Sequence, residues 1–377
     1  KYAQKSYDAY LEKYSRICKT LEVAKQQALE DLQKDFEQGF QGWEMKWNTV
    51  GSSRGDYPFI SVSFGLSNTL FGRMANKAIL KTRMNGQGLD GSKKPVLFPK
   101  LIFLYDANVH GEGKELEDTF NAAIECSKKA MYPDYVSLSG PNYVSKIYQQ
   151  YKEPISPMGC RSFLSPWYKR GGLKPADETD TPVYEGRGNI GVISLNLPMI
   201  YMKAKQSGKD FYEVLDYYLE LIRNLHKRTY EYLGEMKAST NPLAYCEGGF
   251  YGGHLDRDAK IKPVLKTFTT SFGITALNEL QYLYNNKSIT EDGQFALEVM
   301  RYIADRVEEF KVQDGILHSC YGTPAEGLCM KQVEQFRLKY GIIENVSDRD
   351  YFTNSMHVPV WENINVFDNI INFSEFF

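Results

Sequence analysis

The sequence contains no Cys-x-x-Cys pair, no His-Glu-x-x-His or His-x3-His spacing and no G-x-x-x-x-G-K-[ST] loop. Those absences exclude, in turn, a zinc ribbon, a helical zinc site and a P-loop. Gly186, Gly188 and Gly191 have the G-x-G-x-x-G spacing but lead into a strand pattern rather than open a helix, so they make no dinucleotide fingerprint. Gly51-Ser52-Ser53-Arg54-Gly55 has the G-x-S-x-G spacing but follows a helical pattern, not the strand that a serine-hydrolase elbow needs. Histidine is scarce, with five scattered residues at 110, 226, 254, 318 and 357, so no metal site is expected. Charge of either sign is nearly balanced: the net charge is −2, which leaves no basic field to attract nucleic acid. Long apolar runs are also missing. The most apolar stretch, Val96–Leu104, is interrupted by Pro99 and Lys100 and falls far short of the ~20 residues a membrane-spanning helix needs. The cysteines at 18, 126, 160, 246, 320 and 329 are widely spaced and no secretory leader opens the chain, so a reducing, cytoplasmic compartment is the plain expectation. The chain begins at Lys1 and stops at Phe377 inside an apolar segment, and both ends read as internal to a longer polypeptide.

What is present is an ordinary globular balance, 42% hydrophobic, 14% aromatic and 24% charged over 377 residues. That length suits two or three domains, or a single barrel-type unit. Residues 2 to about 48 place Tyr7, Tyr10, Leu11, Tyr14, Ile17, Leu21, Leu29, Leu32, Phe36 and Phe40 at helical spacing. They read as one long helical segment whose end is weakened by Gly39 and Gly42. Its stripe has to be covered, either by the body of the protein or by a second subunit. Beyond it, Phe59–Phe64, Val96–Leu104, Ile190–Leu197, Phe268–Phe272 and Val358–Val360 read as strands. Glu115–Met131, Asp210–Tyr232, Gln294–Phe310 and Leu328–Tyr340 read as helices. This alternation predicts an α/β architecture with largely parallel strands, residues 1–50 forming the helical segment and 51–377 the body.

Four segments have the residue types for chemistry. Ser156-Pro157-Met158-Gly159-Cys160-Arg161-Ser162 puts a cysteine on a loop beside an arginine that can lower a thiol pKa, although a single cysteine is equally a small buried hydrophobe. Tyr321-Gly322-Thr323-Pro324-Ala325-Glu326-Gly327 opens a helix, where free N–H groups and the dipole suit a phosphate; many helices start this way. Thr353-Asn354-Ser355-Met356-His357 is a polar cluster able to hold a ribose or phosphate, or simply a capped turn. Asn189 and Asn196 stand at the two ends of a strand, positions that serve ligands and turns alike.

In order along the chain come Ser52-Ser53-Arg54-Gly55, Phe98-Pro99, Tyr132-Pro133, Met158-Gly159-Cys160-Arg161 and Gly186-Arg187-Gly188-Asn189. Asn196-Leu197-Pro198, Ser271-Phe272-Gly273, Thr323-Pro324-Ala325-Glu326-Gly327 and Thr353-Asn354-Ser355 with His357 follow. Each is weak alone, but their collinear order resembles the catalytic subunit of the anaerobic (class III) ribonucleoside-triphosphate reductases, which are glycyl-radical enzymes. The resemblance implies a ten-stranded α/β barrel, here incomplete, with a finger loop near residues 156–165. It makes Cys160 the thiyl-radical cysteine, which takes the 3′-hydrogen of a bound ribonucleotide before the 2′-hydroxyl leaves as water. It gives Met158 to the formate-using branch and places Ser162 where aerobic relatives carry a glutamate base. Asn189, with Asn196 as the other candidate, would bind ribose or formate. Thr323, Ala325, Glu326 and Gly327 would hold the triphosphate, and Thr353, Asn354, Ser355 and His357 would add polar contacts to substrate.

The implied partners are ribonucleoside triphosphates, dNTP and ATP effectors and a second copy of the chain. A glycyl radical made by an iron-sulfur, S-adenosylmethionine-dependent activase, formate as co-substrate and a zinc site complete the set. No Arg-x-x-Gly-Tyr radical motif follows residue 300 and no paired Cys-x-x-Cys precedes it, so the regulatory N-terminal and radical C-terminal domains are expected to lie outside this chain, which alone should not turn over. A formate-lyase type of glycyl-radical enzyme and a non-catalytic nucleotide-binding module are the alternatives. The first would lack triphosphate binding, and the second would not need Cys160.

Overall fold

A computed structural model describes residues 1–49, 60–89, 92–158 and 163–365. The chain divides into two compact units, Lys1–Phe163 and Leu164–Phe377.

The first unit opens with α1 (Tyr2–Ser15) and α2 (Leu21–Thr49), where one continuous helix was expected. The correction has a local cause. The Thr20 hydroxyl accepts the N–H of Val23 at 3.3 Å and its carbonyl accepts that of Ala24 at 3.1 Å, so Thr20 caps a new helix and the chain reverses before it. The two helices then pack on each other, tied by Tyr10 Oη donating to Asp35 at 2.8 Å. α2 continues through Gly39 and Gly42, which do not end it. Then follow β1 (Ser61–Phe64), α3 (Leu70–Asn85), β2 (Lys100–Tyr105), α4 (Ala107–His110), α5 (Glu117–Ala130), β3 (Asp134–Ser137) and α6 (Tyr143–Tyr151). The strands form a parallel sheet in the order β1-β2-β3, with Phe64 opposite Phe103 and Leu104 opposite Val136. Leu101 and Phe103 of β2 pack with Ile79 and Leu80 of α3 and Ala123 and Cys126 of α5.

The second unit contains β4 (Asn189–Asn196), α7 (Leu197–Ser207), α8 (Phe211–Gly234), α9 (Pro242–Tyr245), α10 (Lys262–Leu265) and β5 (Thr269–Thr275). It continues with α11 (Leu277–Asn285), α12 (Gln294–Asp314), β6 (Leu317–Gly322) and α13 (Glu326–Tyr340). Its sheet is again parallel, in the order β4-β5-β6. Leu195, Phe272 and Ile274 form a core with Leu215, Leu219 and Ile222 of α8 and Val299, Ile303 and Phe310 of α12. The α/β class with parallel strands is therefore as expected, in two three-stranded sheets among the described residues.

Val358–Val360 is not a strand. Pro359 offers no N–H to a ladder, and its carbonyl accepts from Glu362 N at 3.0 Å in a turn. Conversely β3 and β6 escape the sequence pattern, β3 because it has only four residues and β6 because Leu-His-Ser-Cys-Tyr-Gly is too polar to read as a buried strand.

Candidate functional site

In a parallel sheet, residues in register share a face, and successive residues alternate. In the second sheet Ser194 stands opposite Gly273 and Gly273 opposite Tyr321, while Ser271 stands opposite Ser319. The face opposite Phe272 and Ile274 therefore carries three serines, a tyrosine and a glycine, with Val192 opposite Ser271 as a branched apolar residue among them. A parallel strand covered by apolar layers on both sides carries branched apolar residues there instead. The hydroxyls are linked: those of Ser271 and Ser319 lie 3.1 Å apart, and those of Ser194 and Thr323 2.9 Å apart. Thr323 N donates to Ile274 O at 3.3 Å, which carries the ladder one residue past β6.

Gly273 makes the Ser194–Thr323 pair possible. A Cβ built on it would overlap both hydroxyl oxygens. Gly273→Ala is expected to fold, because side chains rather than backbone must yield, but to drive the two hydroxyls apart. The expected cost is about 1–2 kcal/mol, visible as a drop of several degrees in Tm. An unchanged melting transition would remove this role for the glycine.

The Thr323–Gly327 turn and the Thr353–His357 segment, read separately in the sequence, meet here. Asn354 Oδ1 accepts the Ala325 N–H at 3.0 Å, directly before α13. Phe352 N donates to Cys329 O at 3.4 Å, and the Cys329 thiol donates to Thr353 O at 3.9 Å. Ser355 and Met356 press on Gly322, where any side chain would collide with the Ser355 hydroxyl. Thr323, Thr353 and Ser355 are buried, Ala325 and Asn354 half-buried, and Gly327 and His357 exposed. Glu326 opens α13. No side chain of Ala325 itself caps this helix, so Asn354 supplies the acceptor from 29 residues away. The first-turn N–H groups of a helix have no intrahelical partner and sit at the positive end of its dipole.

Beneath the segment lies a group the sequence did not disclose. Glu279 of α11 is buried, and its Oε1 accepts from Thr353 N at 2.9 Å and from Thr353 Oγ1 at 2.6 Å. Burial pushes its carboxyl up to about 7, against the lowering effect of the two Thr353 hydrogen bonds. Nothing local marks Glu279, whereas the period-two spacing of Ser194 and Asn196 could have singled out Ser194.

The asparagines stand at the two ends of β4. Asn189 is at the opposite end of β4 from Asn196, five residues or roughly 16 Å along the strand from Ser194. Its Oδ1 accepts Gly191 N at 2.8 Å and its Nδ2 donates to Ser271 Oγ. Asn196 caps α7, accepting Met199 N at 3.3 Å. Met158 is half-buried in the first unit, while Cys160 and Ser162 lie outside the described residues.

The histidines near the second sheet face its apolar side. His318 Nδ1 meets Thr270 Oγ1 at 2.6 Å and its Nε2 meets Asp314 at 3.2 Å, and burial holds its pKa down at about 4. It is neutral at pH 7 and structural. Burial likewise pushes the thiols of Cys126 and Cys320 up to about 11 and about 12, so neither is a reactive thiolate. No cluster of three metal-ligating side chains occurs among the described residues. The site thus offers hydroxyls, amides and a helix N-terminus at the carboxyl ends of parallel strands, where α/β folds bind ligands. Such donors suit phosphate and sugar oxygens.

A family model described as anaerobic ribonucleoside-triphosphate reductase matches residues 2–377. The Haemophilus influenzae enzyme of that name is 33% identical over 346 residues, covering 90% of this chain and 46% of the relative. That of Enterobacteria phage T4 is 33% identical over 345 residues, covering 90% of this chain and 53% of the relative. The chain thus spans about half the length of these relatives. Among solved structures, the Thermotoga maritima anaerobic ribonucleotide reductase with dATP bound in the specificity site shares the fold with a TM-score of 0.58 at 15% identity, over 91% of this chain and 55% of that one. The same reductase with glycerol in the active site gives a TM-score of 0.59 at 16% identity, over 91% and 53%.

Proposed function

The chain belongs to the anaerobic ribonucleoside-triphosphate reductase family, and on that premise we propose that it forms the nucleotide-binding, thiyl-carrying part of an enzyme reducing ribonucleoside triphosphates to deoxyribonucleoside triphosphates. One observation supports this above the others: the Thr323–Gly327 turn and the Thr353–His357 segment, far apart in sequence, converge at the start of α13. In this reading the triphosphate lies against the first turn of α13 and the Thr323 hydroxyl, with Thr353, Asn354, Ser355 and His357 as flanking polar contacts. The hydroxyl face of β4-β5-β6 lines the path of the sugar, and each sheet belongs to one half of a ten-stranded barrel.

Cys160 removes the 3′-hydrogen of the ribose, and the 2′-hydroxyl departs as water. Formate supplies the two electrons and is released as carbon dioxide, with Met158 beside it and Ser162 in place of a base. Asn189, or Asn196 at the other end of β4, binds ribose or formate. A glycyl radical, when present in the complete enzyme, supplies the oxidising equivalent for Cys160. An iron-sulfur activase, a zinc site, dNTP and ATP effectors, a homodimer using α1 and α2, and a cytoplasmic location belong to the same reading. Among the described residues no helix is long and apolar enough to cross a membrane.

Calorimetry on this chain tests the site. CTP is expected to bind saturably and CMP at least about tenfold more weakly, since the monophosphate cannot reach the same donors. Thr323→Val, which removes only a hydroxyl, should weaken CTP by about tenfold. Equal affinity for CTP and CMP, or a Thr323→Val protein that binds CTP as the wild type does, would sink this assignment.

A further inference from the structure

Glu279 accepts two hydrogen bonds from a single residue, Thr353, 74 positions further on. The backbone on either side is tied in the same place. Ala276 N donates to Thr353 O at 3.1 Å and Leu277 N to Ser355 O at 3.4 Å. Ala276 and Ser355 both hold a left-handed backbone, with φ of 61° and 60°. Residues other than glycine and asparagine rarely keep that conformation unless their surroundings impose it. The end of β5, the first turn of α11 and residues 353–355 therefore form one latch, with the Glu279 carboxyl as its side-chain part.

The other oxygen of that carboxyl, Oε2, is buried without a hydrogen-bond partner. A charged carboxylate would leave that oxygen desolvated, at a heavy cost. Asn354, in the middle of the latched segment, is the residue that meets Ala325 at the start of α13.

We propose that Glu279 is a positioning residue for nucleotide phosphates, holding Thr353–Ser355 against the start of α13 and doing so best in its protonated, uncharged form. The proposal rests on the nucleotide reading of this site. A triphosphate brought to α13 adds negative charge near a buried carboxyl, and like charges favour its neutral state. Binding and protonation of Glu279 therefore assist each other.

The charged side chain acting on Glu279 is Arg349, which favours ionisation. Cys329 and Tyr340 of α13 and Tyr282 of α11 lie in or against the same core, and His357 stands at the exposed end of the segment. α13 also carries Lys331, Glu334 and Lys339, which are exposed, and Arg337, which donates to the carbonyls of Ser347 and Arg349, while Glu291 and Glu362 act on Tyr282. Burial sets Glu279 to change charge at about pH 7, far above the ordinary value of 4.5. It is protonated below that pH and ionised above it, so affinity should fall as pH rises through neutrality.

The test compares CTP affinity from pH 6 to 8.5 in wild type, Glu279→Gln and Glu279→Ala. The glutamine can still accept both Thr353 bonds but cannot ionise. Wild-type affinity should drop by about fivefold or more across the range. Glu279→Gln should stay near the low-pH wild-type value, retaining only the slope due to the triphosphate's own last proton, which both proteins share. Glu279→Ala should lose about tenfold at every pH. Identical pH slopes in wild type and Glu279→Gln would overturn the proposal. So would a glutamine variant as impaired as the alanine one.

If wild type binds no CTP at any pH, the nucleotide reading fails and the positioning role falls with it. The latch is then judged separately by amide hydrogen exchange over residues 352–357. Faster exchange in Glu279→Ala than in Glu279→Gln supports the latch, and equal rates in all three proteins overturn it.

Discussion

Cys160→Ala in the complete, activated enzyme is expected to reduce deoxynucleotide formation below detection while leaving the glycyl-radical signal in its electron paramagnetic resonance spectrum. The reason is chemical. An alanine methyl offers no weak bond to hydrogen, so no side chain at position 160 can then carry the unpaired electron to the sugar. In the proposed reading Thr323 and the start of α13, rather than Cys160, hold the phosphates, so CTP affinity should remain within about fivefold of wild type, only one thiol contact to the sugar being lost. Two measurements on one sample, product yield and radical content, decide the matter. Turnover within tenfold of wild type would exclude Cys160 as the hydrogen-abstracting residue and would favour a non-catalytic nucleotide module. Loss of the radical signal together with the product would instead place the defect in activation.

The second large effect concerns the first unit and needs no assumption about catalysis. Arg83 Nε donates to Glu44 at 2.7 Å, and the two side chains are 1% and 0% exposed. Arg83 also donates to Pro99 O at 2.7 Å, and its guanidinium lies 5.0 Å from the centre of the Tyr132 ring. Gln87 Nε2 reaches the other Glu44 oxygen at 3.3 Å. The pair joins α2 to α3 and to the start of β2. Arginine cannot escape by losing its proton, so Glu44→Ala strands a buried charge and is expected to destabilise the unit by about 3–5 kcal/mol. Replacing both partners at once, Glu44→Leu with Arg83→Met, removes the desolvated charges together and should cost far less. Chemical denaturation of the single and double variants measures this. Equal losses in the two would mean that packing volume, rather than the uncompensated charge, sets the cost.

Glu279 and Glu44 are both buried carboxyls, but their surroundings differ in kind. Glu44 is paired with a permanent cation, Arg83. Glu279 faces the hydroxyl and amide of Thr353, with Arg349 only a minor influence, and burial dominates. For that reason the first contributes a structural tie and the second a group that responds to pH near neutrality. The sign for stability follows. A carboxyl raised from 4.5 to about 7 on folding favours the folded state most at acidic pH, and that contribution fades as pH rises between those values.

Much could be read from residue order alone. The strands at 61–64, 100–105, 189–196 and 269–275 announce themselves as short apolar runs, and the helices at 117–130, 211–234 and 294–314 by their period. Collinear motifs sufficed for the family, because each motif constrains the same scaffold in a fixed order. Tertiary structure decided the rest. The break at Arg16–Thr20 depends on α1 folding back onto α2, and the strand at 317–322 exists because β5 supplies its ladder despite a polar composition. The site itself is the clearest case. Asn354 reaches Ala325 across 29 residues and Thr353 reaches Glu279 across 74, distances over which no periodicity in a sequence persists. Propensity and hydrophobic period act between neighbours along the chain, so they determined which residues form strands and helices. Which hydroxyl meets which carboxyl depends on the path the chain takes between those elements, and only the packed fold decided it.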